Sequence, residues 1–218
     1  MTVSKSPSRD ADRERYHHGD LRQAILTAAC EYLKTENADT LSLRALAREI
    51  GVSQTAPYRH FDSRNALFAG IATWGFEILE KEMETCLAGQ LINSTDAMIE
   101  MGLTYLSFSE THAEKYQLFF DSSMVDFDEY PDLQDASGHC FDILLETIKV
   151  GQRAGLYRIQ PVEQLAAQIW SGLHGIASLL QLSGKRPNFL EKPTGRAIHY
   201  LAEDRRQVLR NLVNTIRV

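Results

Sequence analysis

The sequence predicts an all-α protein. Apolar residues recur at three- and four-residue spacing through most of the chain, no stretch alternates convincingly over strand length, and the periodic segments are separated by Gly-, Pro- and Asn-containing breaks. About nine helices are expected. Three form an N-terminal unit with a helix-turn-helix, a long fourth helix leads out of it, and the rest form a C-terminal bundle. The expected divisions are an arm over residues 1–15, the helix-turn-helix unit over 16–66 and the helical C-terminal domain over 67–218.

Residues 1–15 are polar, with Ser, Pro and alternating charge, and are expected to be disordered. Arg9, Arg13 and Arg15 suit a minor-groove arm, but Asp10, Asp12 and Glu14 interleave with them and favour a solvated tail. The first helix starts near Asp20, an N-cap with Gln23 three residues on. Its apolar stripe is Leu21, Ile25, Ala28, Ala29 and Tyr32, and it runs to about Lys34.

Residues 42–60, SLRALAREIGVSQTAPYRH, are the most informative stretch. Leu43, Leu46, Ala47 and Ile50 form one apolar helical face. Gly51 can take the left-handed conformation that ends a helix, Val52 plugs the turn, and Ser53 is a good N-cap for a second helix. Gln54 and Thr55 then stand where a recognition helix meets base edges: Gln pairs bidentately with adenine, and the Thr methyl packs on a thymine methyl. Tyr58, Arg59 and His60 can donate to phosphates. Pro57 removes one backbone donor near the helix start, where the first turn is under-bonded anyway. A generic helical hairpin with polar residues in water is the bland alternative, and the agreement of turn, cap and polar face argues against it.

The fourth helix is capped by Asp62 or Ser63 and runs to about Ala88, with Leu67, Ile71, Trp74 and Ile78 buried. Phe61 and Phe68 pack the hairpin against it and the first helix. Arg64 lies in its first turn, where a helix N-terminus and a cation can share a phosphate. Beyond a break at 89–93, helices are expected over about 96–109 and 113–120. Residues 121–135, acidic and containing Pro131, are expected to be mostly loop. A further helix covers about 135–154 and stops at Gly155. Pro161 fits the first turn of the next, which runs to about Leu182. Residues 183–195 read as a loop, and a last helix runs from about Arg196 to the C-terminus.

Residues 41–67, LSLRALAREIGVSQTAPYRHFDSRNAL, resemble the DNA-binding domain of the TetR (tetracycline-repressor-like) family of bacterial transcriptional regulators. The matching features are G-V-S, then P-Y-R-H-F, a short D-S-R turn and A-L opening the next helix. The stretch Trp170-Ser171-Gly172-Leu173-His174-Gly175 is similar to a Trp…His-Gly segment in the C-terminal domain of one subgroup. The resemblance implies that Arg44, Gln54 and Thr55 approach bases, while Ser42, Ser53, Tyr58, His60 and Arg64 hold phosphates. The family commonly has Lys where this chain has Arg64, which keeps the charge but changes the contact geometry. The resemblance also implies a homodimeric repressor on a near-palindromic double-stranded operator. A small molecule of unknown identity in the C-terminal domain would release it, with the fourth helix as lever.

Composition sets the outer bounds. The chain has 218 residues, 44% hydrophobic and 24% charged, an ordinary globular balance. No apolar run is long enough to span a membrane, and the N-terminus carries no apolar signal core. Cys30, Cys86 and Cys140 are widely spaced and fit neither a disulfide framework nor a zinc site, so a reducing cytoplasm is the expected location. The net charge of −6 is unevenly spread: residues 1–70 hold 10 Lys+Arg against 9 Asp+Glu, and residues 71–218 hold 13 against 20. A locally basic DNA face on an acidic protein is compatible with that split.

Asp126, Asp128, Glu129, Asp132 and Asp135 lack EF-hand spacing, and His112, His139, His174 and His199 are scattered, so no metal site is expected. There is no G-x-S-x-G, P-loop or dinucleotide-binding glycine run, so neither a catalytic site nor a cofactor is assigned. Met101, Tyr105, Phe108, Tyr116, Phe119, Phe120, Phe141 and Trp170 are core residues or cavity lining. The candidate ligand pocket is Tyr105, Tyr116, Phe120, Trp170 and His174. The helix ending near Leu182 is apolar nearly all round and needs cover. The candidate dimer interface is Leu173, Ile176, Leu180, Leu209, Leu212 and Ile216, with Gly172 and Gly175 allowing close approach. Burial of both helices within one subunit is the alternative. The function expected is ligand-responsive transcriptional repression. The rivals are a DNA-binding regulator answering to a partner protein and a helical enzyme with an incidental hairpin.

Overall fold

The computed structural model describes residues 9–88, 95–120, 124–183 and 192–218, with side chains from residue 21 onward except that of Ser183. Nine α-helices account for most of these residues, joined by short turns, and no strand longer than an isolated bridge occurs among them. The break at 89–93 and most of the loop expected at 183–195 lie outside the described residues, as do residues 1–8 of the expected arm.

Helix α1, Arg9–Thr35, starts well before Asp20. The arm therefore continues the helix from Arg9, and Asp20 is interior to it rather than a cap. No Pro interrupts 9–35, and a single Gly19 is tolerated in a helix at modest cost. The buried side of α1 carries Ile25, Leu26, Ala29 and Cys30. A 3-10 turn, Ala38–Thr40, is closed by Asn37, whose side chain accepts from the Asp39 N–H at 3.0 Å.

Helix α2, Leu43–Glu49, buries Leu43, Leu46 and Ala47, as its spacing predicts. It stops at Gly51, with φ +75°, and the Val52 N–H donates back to the Ala47 carbonyl at 2.9 Å. This six-to-one closure satisfies carbonyls that the helix end would leave unpaired.

The expected second α-helix of the motif is shorter and tighter than its sequence suggests. Residues 54–56 form a turn and Pro57–Arg59 a single 3-10 turn. Pro57 has no N–H to give the Ser53 carbonyl, and that carbonyl instead accepts from Ala56 at 3.0 Å. The Ser53 hydroxyl faces Thr55 Oγ1 at 3.3 Å rather than a backbone donor.

Helix α3, Arg64–Ala88, is the long helix expected, and Ser63, not Asp62, caps it by accepting from the Ala66 N–H at 3.0 Å. Leu67, Phe68, Ala69, Gly70, Ile71 and Ala72 are all buried, so this stretch is covered on every side. Further along, Gly75, Leu79, Met83 and Leu87 carry the buried face, and Trp74 and Ile78 are only half-buried.

Helix α4 is Thr95–Thr111, α5 is Ala113–Leu118 and α6 is Pro131–Arg153. Pro131 opens α6 rather than marking a loop, because its fixed φ and missing donor suit the first helical position. Gly155, with φ +71°, ends the turn after α6, and Leu156 donates to the Gly151 carbonyl at 2.9 Å. Helix α7 is Val162–Ser183. The expected last helix is two: α8, Pro193–Glu203, and α9, Arg205–Asn214, break at Asp204. Asp204 leaves helical geometry and caps α9, accepting from the Gln207 N–H at 3.0 Å.

Helices α3, α4, α6 and α7 pack around one interior, with α5 against α1 and α3 and with α9 against α4. The C-terminal residues return to the α6–α7 connection. Tyr157 and Arg217 form an antiparallel bridge, Arg158 donates to Ile216 at 3.0 Å and Val218 to Leu156 at 3.3 Å.

The Tyr157 ring seats directly on Gly151, where an added Cβ would lie 2.1 Å from a ring carbon. Gly151→Ala is therefore predicted to cost about 1–3 kcal/mol through overpacking, read by urea unfolding. An unchanged midpoint would show that the ring slides away freely.

Candidate nucleic-acid interface and ligand cavity

The α2 motif exposes its polar residues together. Ser42, Arg44, Ser53, Gln54 and Thr55 are exposed, and Tyr58 is 45% exposed although its neighbour Pro57 is buried. The Ser42 carbonyl accepts from Ala45 and Leu46 at 2.9 and 3.0 Å, while its side chain makes no capping bond. Arg59 is exposed, as expected, and His60 is half-buried.

Arg64 is exposed but already engaged. Its Nη1 donates to the Asp39 carbonyl at 2.6 Å, and its guanidinium lies 5.8 Å from the centre of the Phe68 ring. It ties the loop before α2 to the start of α3, a role its position in a first turn does not reveal. Arg22, Arg59 and His60 line a cleft of about 410 Å³, whose opposite wall is Tyr130, Pro131 and Asp132 at the start of α6.

A second cavity, of about 430 Å³, lies inside the helical bundle. Phe76, Leu79 and Met83 of α3 line it, with Met101 and Tyr105 of α4, Phe119, Phe120 and Phe127, and Trp170 and Leu173 of α7. Helix α6 contributes Ser137, Gly138, Cys140, Phe141 and Leu144. Of the five pocket residues expected, Tyr105, Phe120 and Trp170 line the cavity directly. Tyr116 and His174 stand behind them. Tyr105 donates to the Tyr116 hydroxyl at 3.2 Å, and Tyr116 Oη lies 2.8 Å from His174 Nδ1. The His174 ring also lies 3.8 Å from the centre of Phe120.

Burial lowers the His174 pKa, favouring the neutral imidazole, whose Nδ1 accepts from Tyr116 when Nε2 carries the proton. Burial also raises the Tyr105 and Tyr116 phenols and pushes the Cys140 thiol up to about 12.

Phe108, among the cavity candidates, is instead core, stacked on Phe119 with centroids 5.7 Å apart. Phe76, Leu79, Met83, Phe127 and the small residues of α6 escape sequence reasoning because their spacing is that of any core stripe.

The dimer residues expected from sequence are mostly turned inward. Leu173, Leu180, Leu209 and Ile216 are buried within the single chain, and Ile176 and Leu212 are half-buried. Gly172 meets Leu212 of its own chain, with an added Cβ 2.5 Å from a Leu212 methyl, whereas Gly175 faces open space. The α7 side chains find cover from α4, α6, α8 and α9. The large apolar residues left exposed on α7 and α8 are Trp170, Leu179, Leu182 and Tyr200.

Helix α5 carries a feature that no sequence pattern signals. Glu114 and Lys115 are adjacent, buried and paired at 2.8 Å, and Lys115 Nζ stands 4.4 Å from the centre of the Trp74 ring. Cys30 of α1 lies beside them, and its thiol is raised to about 11 chiefly by burial, with Lys115 opposing. No three His, Cys, Asp or Glu among the described residues are placed to hold a metal ion.

Residues 25–71 match the family model for bacterial regulatory proteins, tetR family, and residues 98–203 match that for the tetracyclin repressor-like C-terminal domain. The chain is 27% identical over 190 residues to the nucleoid occlusion factor SlmA of Vibrio campbellii, covering 83% of this chain and 92% of that one. A solved Rhodococcus sp. RHA1 protein of unknown function superposes with a TM-score of 0.72 and 25% identity, over 93% of this chain and 98% of its own. A transcriptional regulator from Saccharomonospora viridis, solved with choline, shares the fold at a TM-score of 0.68 and 17% identity, over 92% and 99%.

Removing one partner of the buried α5 pair leaves the other charge without compensation. Glu114→Ala is predicted to cost about 3–5 kcal/mol, while Glu114→Leu combined with Lys115→Met recovers most of it. Urea unfolding of both variants checks this. Equal stability of the two would mean that water reaches Lys115.

Proposed function

The chain belongs to the tetR family of bacterial regulatory proteins, and from that premise we propose that it is a homodimeric repressor released from its operator by a small molecule. Proteins of this family are DNA-binding transcriptional regulators. The observation that carries the ligand reading is the course of α3. It begins at Arg64 beside the exposed α2 motif and continues unbroken past Phe76, Leu79 and Met83 in the bundle cavity. A ligand in the cavity therefore touches the helix that carries the DNA-reading head.

In this mechanism Arg44, Gln54 and Thr55 read bases, and Ser42, Ser53, Tyr58, His60 and Arg64 hold the backbone. Two copies present these residues to successive major grooves of a near-palindromic site. Exposed Leu179, Leu182 and Tyr200 supply the subunit contact on the outer side of α7 and α8, replacing the inward residues expected from sequence. The cleft between Arg59 and Asp132 leaves the head room to turn against α6. A ligand with different affinity for the two head positions shifts the balance between them, and one with equal affinity shifts nothing. The cavity belongs to a binder, and we assign no catalytic step to it. The protein acts in the cytoplasm, on the nucleoid when bound. No described helix is long and apolar enough to cross a membrane.

A second reading is favoured by the likeness to nucleoid occlusion factors. In it the DNA-bound dimer answers to a protein partner and the bundle cavity stays without a physiological ligand. Retention of operator affinity in the presence of every compound that fills the cavity favours this second reading.

Selection of bound fragments from the host's genomic DNA, at near-physiological salt with competitor, is expected to enrich one near-palindromic site; no enrichment would sink the regulator reading. Arg44→Ala and Gln54→Ala should each cost about 1–3 kcal/mol and relax preference at particular base pairs. Tyr58→Phe should weaken binding evenly across sequences. An unchanged preferred site with Arg44→Ala would remove that residue from base reading. Leu179→Glu with Leu182→Glu is expected to convert dimer to monomer by light scattering, and a persistent dimer would place the interface elsewhere.

A further inference from the structure

Helix α2 is held down by contacts that have no direction. Leu41 before it and Leu43, Leu46 and Ala47 on its underside are buried. Apolar burial scales with the area covered and is indifferent to angle, so it fixes the depth of a short helix better than its phase. The helix has seven residues, and Ser42 at its start makes no side-chain capping bond. Directional contacts come instead from the turn that precedes it.

That turn is tied from two helices. The Thr40 hydroxyl donates to the Asn37 carbonyl at 2.6 Å, and the Thr40 N–H reaches the same carbonyl at 3.0 Å. Thr40 has one hydroxyl proton and gives it to Asn37, so Tyr32 Oη, 2.9 Å from Thr40 Oγ1, is the donor of that pair. Tyr32 stands in the last turn of α1. From α3, Arg64 donates to the Asp39 carbonyl of the same turn. Only Leu41 and Ser42, both extended, separate the turn from α2. The orientation of the turn is therefore handed to the helix with little slack. The ring of Tyr32 is half-buried against the core, whereas its hydroxyl serves the turn.

We propose that Tyr32 is a positioning residue for DNA reading. Through Thr40 it sets the orientation in which α2 presents Ser42 and Arg44, and it touches no nucleic acid itself. The inference rests on the regulator reading above and adds to it a specificity-determining residue on α1. Tyr32→Phe removes the hydroxyl and keeps the ring, so the tie to the turn is lost while the packing stays.

The test uses the full chain with two DNA fragments of equal length, the one that genomic selection enriches and a scrambled version of it. Fluorescence anisotropy gives both affinities and their ratio. Tyr32→Phe is expected to lower that ratio about two- to tenfold, the worth of one hydrogen bond, with affinity for the scrambled fragment unchanged. Thr40→Val should lower the ratio in the same way, and Thr40→Ser, which keeps the hydroxyl, should preserve it. Tyr32→Phe combined with Thr40→Val should cost no more than Thr40→Val alone, because both act through one bond. A ratio unchanged by Tyr32→Phe overturns the proposal, whatever happens to the melting temperature. Additive losses in the double variant overturn it too. Equal weakening on both fragments would make Tyr32 a backbone contact, which also defeats it. An unaltered chain that prefers neither fragment defeats the regulator reading and this proposal together, whereas a preference that survives Tyr32→Phe defeats this proposal alone.

Discussion

At Gly75 helices α3 and α5 approach so closely that no side chain fits between them. An added Cβ there would lie 2.8 Å from the Phe119 ring and 3.0 Å from Lys115 Cβ. This approach brings Lys115 beside Trp74 and places Phe119 on Phe76. It also holds α5 against α1, where Cys30 meets the Glu114–Lys115 pair. Six residues of helix therefore join the first helix of the DNA-binding part, the long helix and one wall of the cavity. The buried ion pair is a weak source of net stability, since desolvation offsets much of its attraction. Its effect is to make one arrangement of α5 far better than its neighbours, because any sliding strips one charge of its partner.

Around that joint the chain divides its chemistry by position along α3. The N-terminal end lies among polar, exposed groups suited to a phosphate surface, and the middle faces an apolar interior. The helix is covered on all sides between these regions, at Leu67–Ala72, so it cannot bend there without opening the core. A displacement at Phe76 or Leu79 is then passed to Arg64 as movement of a stiff rod rather than absorbed locally.

Much of this was legible in the residues. Gly51 and the Leu43–Leu46–Ala47 stripe predict α2 and its closure, and Ser63 and Gly155 mark ends that the structure keeps. The exposed polar set from Ser42 to Tyr58 also follows from the motif. Three features did not follow. The Pro57 segment reads as a helix start, but the lost donor to Ser53 leaves it a 3-10 turn. Asp204 reads as an ordinary surface acid within one helix, yet it caps a second. The apolar girth of α7 reads as a subunit interface, whereas four helices of the same chain cover most of it. The cavity was legible in Tyr105, Phe120 and Trp170. It was illegible in Leu79, Met83 and Leu144, because the spacing that builds a core stripe does not say whether a void lies beyond it.

The bond from Arg64 to the Asp39 carbonyl, with the guanidinium over Phe68, has a consequence for what release can mean. It fastens the approach to α2 onto the start of α3, so the reading surface travels with the long helix as one piece. Motion of that piece alters the distance and tilt between two copies and leaves each copy's own contacts intact. Under the proposed ligand release, induction would act on spacing and not on vocabulary: the bound and released proteins would read the same half-site, and only the register between half-sites would be lost.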